Sequence, residues 1–155
     1  MDLLRIVGRR RSEAPEAAQP ATGLIMVPVS GHPVDEQVIR LAGVMSRRQK
    51  TNVLLIRIVE VPRSLPIDSD FDAEHSQAVL DTALRQAGLQ GFQPETSMIQ
   101  ARDAGAAIVD ESLALKADLI LLGLPRLMVS GQPSLGKTVP YVLLRAQCRV
   151  IVVRP

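Results

Sequence analysis

An α/β domain, a five-stranded parallel open sheet with helices on both faces, is the fold class this sequence predicts. The first reason is an alternation: from Gly23 onward, short apolar runs take turns with longer stretches of helical spacing, as in a parallel sheet wrapped by its own crossovers. The second is that the apolar runs are nearly continuous, as strands buried on both faces must be. The third is composition. Of 155 residues, 46% are hydrophobic but only 2% are aromatic and none is Trp. Leu, Ile, Val, Ala and Met must therefore fill the interior, and a chain of this length needs only one core.

Leu24 to Val29, closed by Ser30-Gly31, reads as strand one. Pro33 to Arg48 places Val34, Val38, Leu41, Ala42 and Met45 on one helical face, and Glu36 with Arg40 adds an i,i+4 pair. Asn52 to Val61 is strand two, ended by Pro62 and a polar loop through Asp70. Asp72 to Ala87 is helix two, with Gly88 as its ending residue. Thr96 to Ala101 alternates weakly and is a third, more exposed strand. Ala104 to Lys116 is helix three, its final lysine complementing the helix dipole. Leu119 to Leu122 is strand four, Gly123 to Leu135 a loop, Lys137 to Gln147 the last helix and Arg149 to Val153 the last strand. Crossovers in such a sheet are right-handed, and ligands sit beyond the carboxyl ends of the strands where strand order reverses. Here that means the loops after strands one and four.

Residues 1–22 differ in character. Leu3, Leu4, Ile6 and Val7 precede Arg9-Arg10-Arg11, and Ser12 to Thr22 is rich in Ala, Pro and Glu. The segment reads as an arm and flexible linker, either a solvated tail or an anchor for an acidic membrane surface or a partner groove. Charge excludes other classes: 18 Lys plus Arg stand against 16 Asp plus Glu, and basic clusters interleaved with aromatics are missing from the body of the chain, so nucleic acid is not an expected partner. Cys148 is the single cysteine, and the two histidines, His32 and His75, stand apart, which gives neither a disulfide nor a metal spacing. No apolar run approaches the ~20 residues of a membrane span, and the N-terminus lacks the pattern of a secretory leader. The expected location is the cytoplasm, with membrane association only through a partner.

Ile25-Met26-Val27-Pro28-Val29, Ala107 to Gly123 and Gly136 to Arg154 together resemble the universal stress protein family, and the likeness covers Gly23 to Pro155. The resemblance implies five parallel strands in the order 3-2-1-4-5, a homodimer, and ATP or another adenine nucleotide as ligand. Nucleotide-binding members carry G-x2-G-x9-G-[ST] after strand four. Gly123 and Gly136 match its first and third glycines, but Arg126 stands at the second and Lys137 at the Ser/Thr position. Strand one of such members ends in an Asp; this chain has Ser30 there, just after Pro28.

Gly131 to Thr138 also satisfies the P-loop pattern G-x-x-x-x-G-K-[ST]. Its context fails. Strand four ends near Gly123, about seven residues too early for a strand feeding that first glycine, and Arg149 to Val153 offers no acid for magnesium. What remains is local chemistry: a glycine turn feeding a helix N-terminus presents amides and a positive dipole end to a phosphate, with Lys137 adding a charge and Thr138 a hydroxyl. Arg126 is either a phosphate clamp or a plug. The expected site is thus Pro28, Ser30, Gly123, Arg126, Gly136, Lys137 and Thr138, occupied by nucleotide or empty. Asp110 and Glu111 lie about 100° apart on a helix and cannot share a substrate. Ser30, His32 and Asp35 read as a turn or cap, and Cys148 as a small buried hydrophobe. No catalytic set is expected. The alternatives are a nucleotide-sensing regulatory module and a scaffold with a degenerate site.

Overall fold

In the computed structural model, which describes residues 23–155, the apolar runs become strands and the helical stretches become helices. The arm expected over residues 1–22 lies outside the described residues. The chain runs β1 (Leu24–Pro28), α1 (Val34–Gln49), β2 (Asn52–Glu60), α2 (Ala73–Leu89), β3 (Glu95–Ala101), α3 (Ala104–Ala114), β4 (Leu119–Gly123), β5 (Leu127–Val129), β6 (Gln132–Ser134), α4 (Thr138–Arg145) and β7 (Arg149–Val153). The main sheet is parallel, in the order β3-β2-β1-β4-β7. With the short β5–β6 hairpin set aside, this is the expected order 3-2-1-4-5.

Each strand sends alternate side chains to opposite faces, and here both faces are dry. Ile25, Val27, Val53, Leu55, Leu119 and Leu121 join α1 and α2 in one core layer. Met26, Leu54, Ile56, Ile120 and Leu122 join α3 and α4 in the other. That two-sided burial is why the strands read as unbroken apolar runs.

Three local expectations are corrected. Gly88 does not end α2, which continues to Leu89; the turn follows at Gly91, where φ is +79°. Lys116 is not in the last turn of α3: it lies beyond Ala114 in a left-handed conformation, φ +53°. The stretch from Gly123 to Leu135 is not all loop. Leu127–Val129 pairs antiparallel with Gln132–Ser134 across Ser130-Gly131, both at positive φ (+50° and +75°), the backbone a two-residue hairpin turn demands. Gly131, first glycine of the apparent P-loop, thus sits at a hairpin tip with nothing near its missing side chain.

The strand ladders position the functional region. β1 pairs with β2 from Leu24 through Pro28, and β4 with β7 along its full length. β1 pairs with β4 only at Ile25–Leu119 and Met26–Ile120. Toward their carboxyl ends these two central strands part. Their outgoing connections also head in opposite directions, β1 to β2 and β4 to β7, so the gap falls at the switch in strand order.

Candidate functional site

A cleft of about 360 Å³ opens where β1 and β4 diverge. Its floor includes Pro28 and Val29 from β1 and the turn after it, Ile58 from β2, and Leu122 and Gly123 from β4. Its far wall is the start of α4, with Gly136, Lys137 and Thr138. Six of the seven residues singled out in the sequence, Pro28, Ser30, Gly123, Gly136, Lys137 and Thr138, line this one cleft. The seventh does not. Arg126 is neither clamp nor plug: its guanidinium turns to the end of the chain and donates to the Pro155 carbonyl from Nε at 3.2 Å and Nη2 at 2.9 Å.

The polar groups around the cleft are largely engaged within the chain. Asp35, buried in the first turn of α1, accepts the amides of Ser30 at 2.9 Å and Gly31 at 2.8 Å through one oxygen, and the Ser30 hydroxyl at 3.1 Å through the other. Burial pushes the Asp35 carboxyl above the ordinary carboxylate range, and those hydrogen bonds pull against it. Ser30 and Asp35 therefore form the turn that the sequence suggested, with the His32 amide donating to Ser30 Oγ at 3.2 Å. Gly136 adopts φ +66° and gives its amide to Ser134 Oγ at 3.0 Å. Thr138 and Val139, the first residues of α4, have no carbonyl a turn behind them to accept their amides, and Pro140 carries no N–H.

Lys137 extends to Glu60 at the end of β2, with Nζ 2.5 Å from Oε1. That contact raises the lysine above its ordinary range, by hydrogen bond first and by charge second. The other Glu60 oxygen accepts the Ala104 amide at 3.2 Å, at the start of α3. On the opposite face of the sheet, Arg57 donates to the Ser30 carbonyl at 3.1 Å and to Ser76 Oγ at 3.2 Å, with Asp72 3.6 Å away. It fixes the turn after β1 from behind. Sequence reasoning passed over Arg57 and Glu60. The available signal was a pair of charges in the otherwise apolar run from Val53 to Val61, since a buried strand carries a charge only where a partner awaits it.

Gly123 has a role beyond the cleft. A Cβ there would lie 2.8 Å from Val34 Cγ1 and 3.2 Å from Val38 Cγ2, so the glycine lets α1 pack directly on β4.

The sequence model of the universal stress protein family matches residues 23–154, nearly the whole described chain. The chain belongs to that family. No curated protein matches it closely enough to add to this. Among solved universal stress proteins, one from Archaeoglobus fulgidus superposes with a TM-score of 0.72 at 21% identity, covering 84% of this chain and 97% of its own. The Archaeoglobus fulgidus protein in complex with dAMP gives 0.69 at 20% identity, with 84% and 96% covered. A universal stress protein in complex with cAMP gives 0.68 at 19% identity, with 86% and 98% covered. At such identities the likeness establishes the fold, five parallel strands flanked by helices.

Proposed function

We propose that this universal stress protein is a regulatory module without a chemical step, which binds an adenine nucleotide in the cleft between β1, β4 and α4. The observation that carries this reading is that Arg126, the residue in place of the family's second glycine, leaves the cleft clear. The volume falls within the range of small-molecule sites, and the free amides of Thr138 and Val139 suit an anionic group at the rim. Relatives of the same fold in complex with dAMP and cAMP add support.

The chain has no Trp, one Tyr and two Phe, so co-purified adenine would dominate its absorbance near 260 nm. Calorimetry with cAMP, AMP and ATP is expected to give heat for at least one of them. Lys137→Ala should then weaken the best phosphate-bearing ligand roughly tenfold or more, about 1.5 kcal/mol for a charge-assisted contact. An unchanged affinity would remove Lys137 from the site.

A second reading, a scaffold with no ligand, is favoured by the internal satisfaction of the polar groups: Gly136 by Ser134, Lys137 by Glu60, Ser30 by Asp35. Protein that purifies free of nucleotide and gives no heat with any of the three would establish it. Under either reading we propose a homodimer. β7 is an edge strand whose outer backbone groups have no partner strand, and Ile151 is exposed on it, a surface that strand pairing with a second copy would cover. Light scattering should give twice the chain mass; a monomer at micromolar concentration would exclude the dimer.

A further inference from the structure

Glu60 holds two N-terminal positions at once. One carboxylate oxygen lies against the Lys137 ammonium, just ahead of α4, and the other accepts the Ala104 amide, the first of α3. Ala104 and Lys137 both line the cleft. Asp103, which caps α3 by accepting the Ala106 amide at 2.9 Å, adds a second carboxylate close enough to act on Lys137. This corner of the cleft therefore holds one cation and two anions. The amide and ammonium that an entering phosphate chain would seek are already serving a carboxylate of the protein.

That carboxylate is not readily displaced, because swinging Glu60 away would surrender both the Ala104 amide and the ion pair. A triphosphate would bring several more negative charges into a corner already negative in sum, in a partly desolvated setting where repulsion is stronger than in water. A nucleoside, or a nucleotide whose phosphate is a singly charged diester, avoids most of that repulsion and still fills the apolar part of the cleft.

We propose, on the basis that the cleft is an adenine-nucleotide site, that Glu60 sets its ligand class: nucleosides and cyclic nucleotides carrying at most one negative charge are accepted, and nucleoside triphosphates are turned away. Glu60 is a specificity-determining residue, and its charge rather than its shape does the selecting.

The test is calorimetry on the full chain with adenosine, cAMP and ATP at one ionic strength, for wild type, Glu60→Gln and Asp81→Asn. Glutamine keeps an acceptor for the Ala104 amide while removing the charge. Asp81, an α2 residue bonded to Gln77, controls for net charge alone. Wild type should bind adenosine or cAMP at least about tenfold more tightly than ATP, and Glu60→Gln should raise ATP affinity by about tenfold or more while moving adenosine less than about threefold. ATP bound by wild type as tightly as cAMP, or an equal gain with Asp81→Asn, would overturn the selectivity and leave the cleft as a nucleotide site. ATP affinity unmoved by Glu60→Gln would do the same. No adenine ligand bound by wild type or Glu60→Gln would remove the cleft reading, and this inference with it.

Discussion

Gly123→Ala is expected to lower the free energy of unfolding by about 1–3 kcal/mol, and Gly123→Val by more. A single methyl would stand 2.8 Å from Val34 Cγ1 and 3.2 Å from Val38 Cγ2. Both neighbours are β-branched and stiff at χ1, and both are almost completely buried, so neither can rotate out of the way. The helix must move instead. Since α1 carries Asp35 and hence the turn after β1, the displacement should reach the cleft as well as the core. Gly131→Ala is the contrasting case. Its missing side chain faces open space, and only its φ of +75° opposes substitution, a cost on the order of 1 kcal/mol. Urea denaturation of the two variants separates the effects. A Gly123→Ala protein as stable as wild type would mean that α1 does not rest on β4 as closely as described.

Asp35→Ala is expected to cost about 1.5–3 kcal/mol, the scale of hydrogen bonds to a charged acceptor. It strands the amides of Ser30 and Gly31, which converge on one carboxylate oxygen. Asp35→Asn should cost far less. The amide oxygen can take the place of that shared acceptor, and the amide nitrogen can donate to Ser30 Oγ. The two variants should also differ from wild type in their pH dependence. Because burial raises the folded-state pKa of Asp35, the stability contributed by its neutral form is fully present below the unfolded-state value, near pH 4, and is lost as pH rises through the folded value. Asparagine carries no such titration. The stability of Asp35→Asn relative to wild type should therefore improve between about pH 4 and neutrality. A difference that is flat with pH, or one that declines, would mean that the hydrogen bonds outweigh burial at this carboxyl.

The fold was legible because both faces of the sheet are covered. Runs such as Leu119 to Leu122 have no other use in a chain of this size, and the spacing of Val34, Val38, Leu41 and Ala42 admits only a helix. The end of α2 was misplaced because Gly88 offered an early stop, while the tertiary contacts of the helix carry it a turn further before Gly91 reverses the chain. The hairpin from Leu127 to Ser134 was hidden by Pro133, which reads as a breaker but tolerates a place in a two-stranded ribbon, where one side of each strand is free.

The site was legible as a list of places and not as a set of partnerships. Glycine spacing located Gly123 and Gly136, and helix-start chemistry located Lys137 and Thr138. The bond from Lys137 to Glu60 spans 77 positions of sequence and follows no local period. The direction taken by Arg126 depends on where the last residue of the chain comes to rest. Asp35 was recognised as part of a turn, but its hold on two successive amides appears only when α1 is placed over β1. Pairings of this kind are products of the packed layers and have no counterpart in the order of residues.

The parting of β1 from β4 after Met26 and Ile120 has a consequence for how binding could be gained or lost. The hollow owes its existence to the paths of two interior strands, so no loop side chain has to be retained to keep it open. Surface substitutions could strip away every grip on a guest and leave the receptacle standing, or refit it for a different guest, while the interior that holds the protein together went undisturbed.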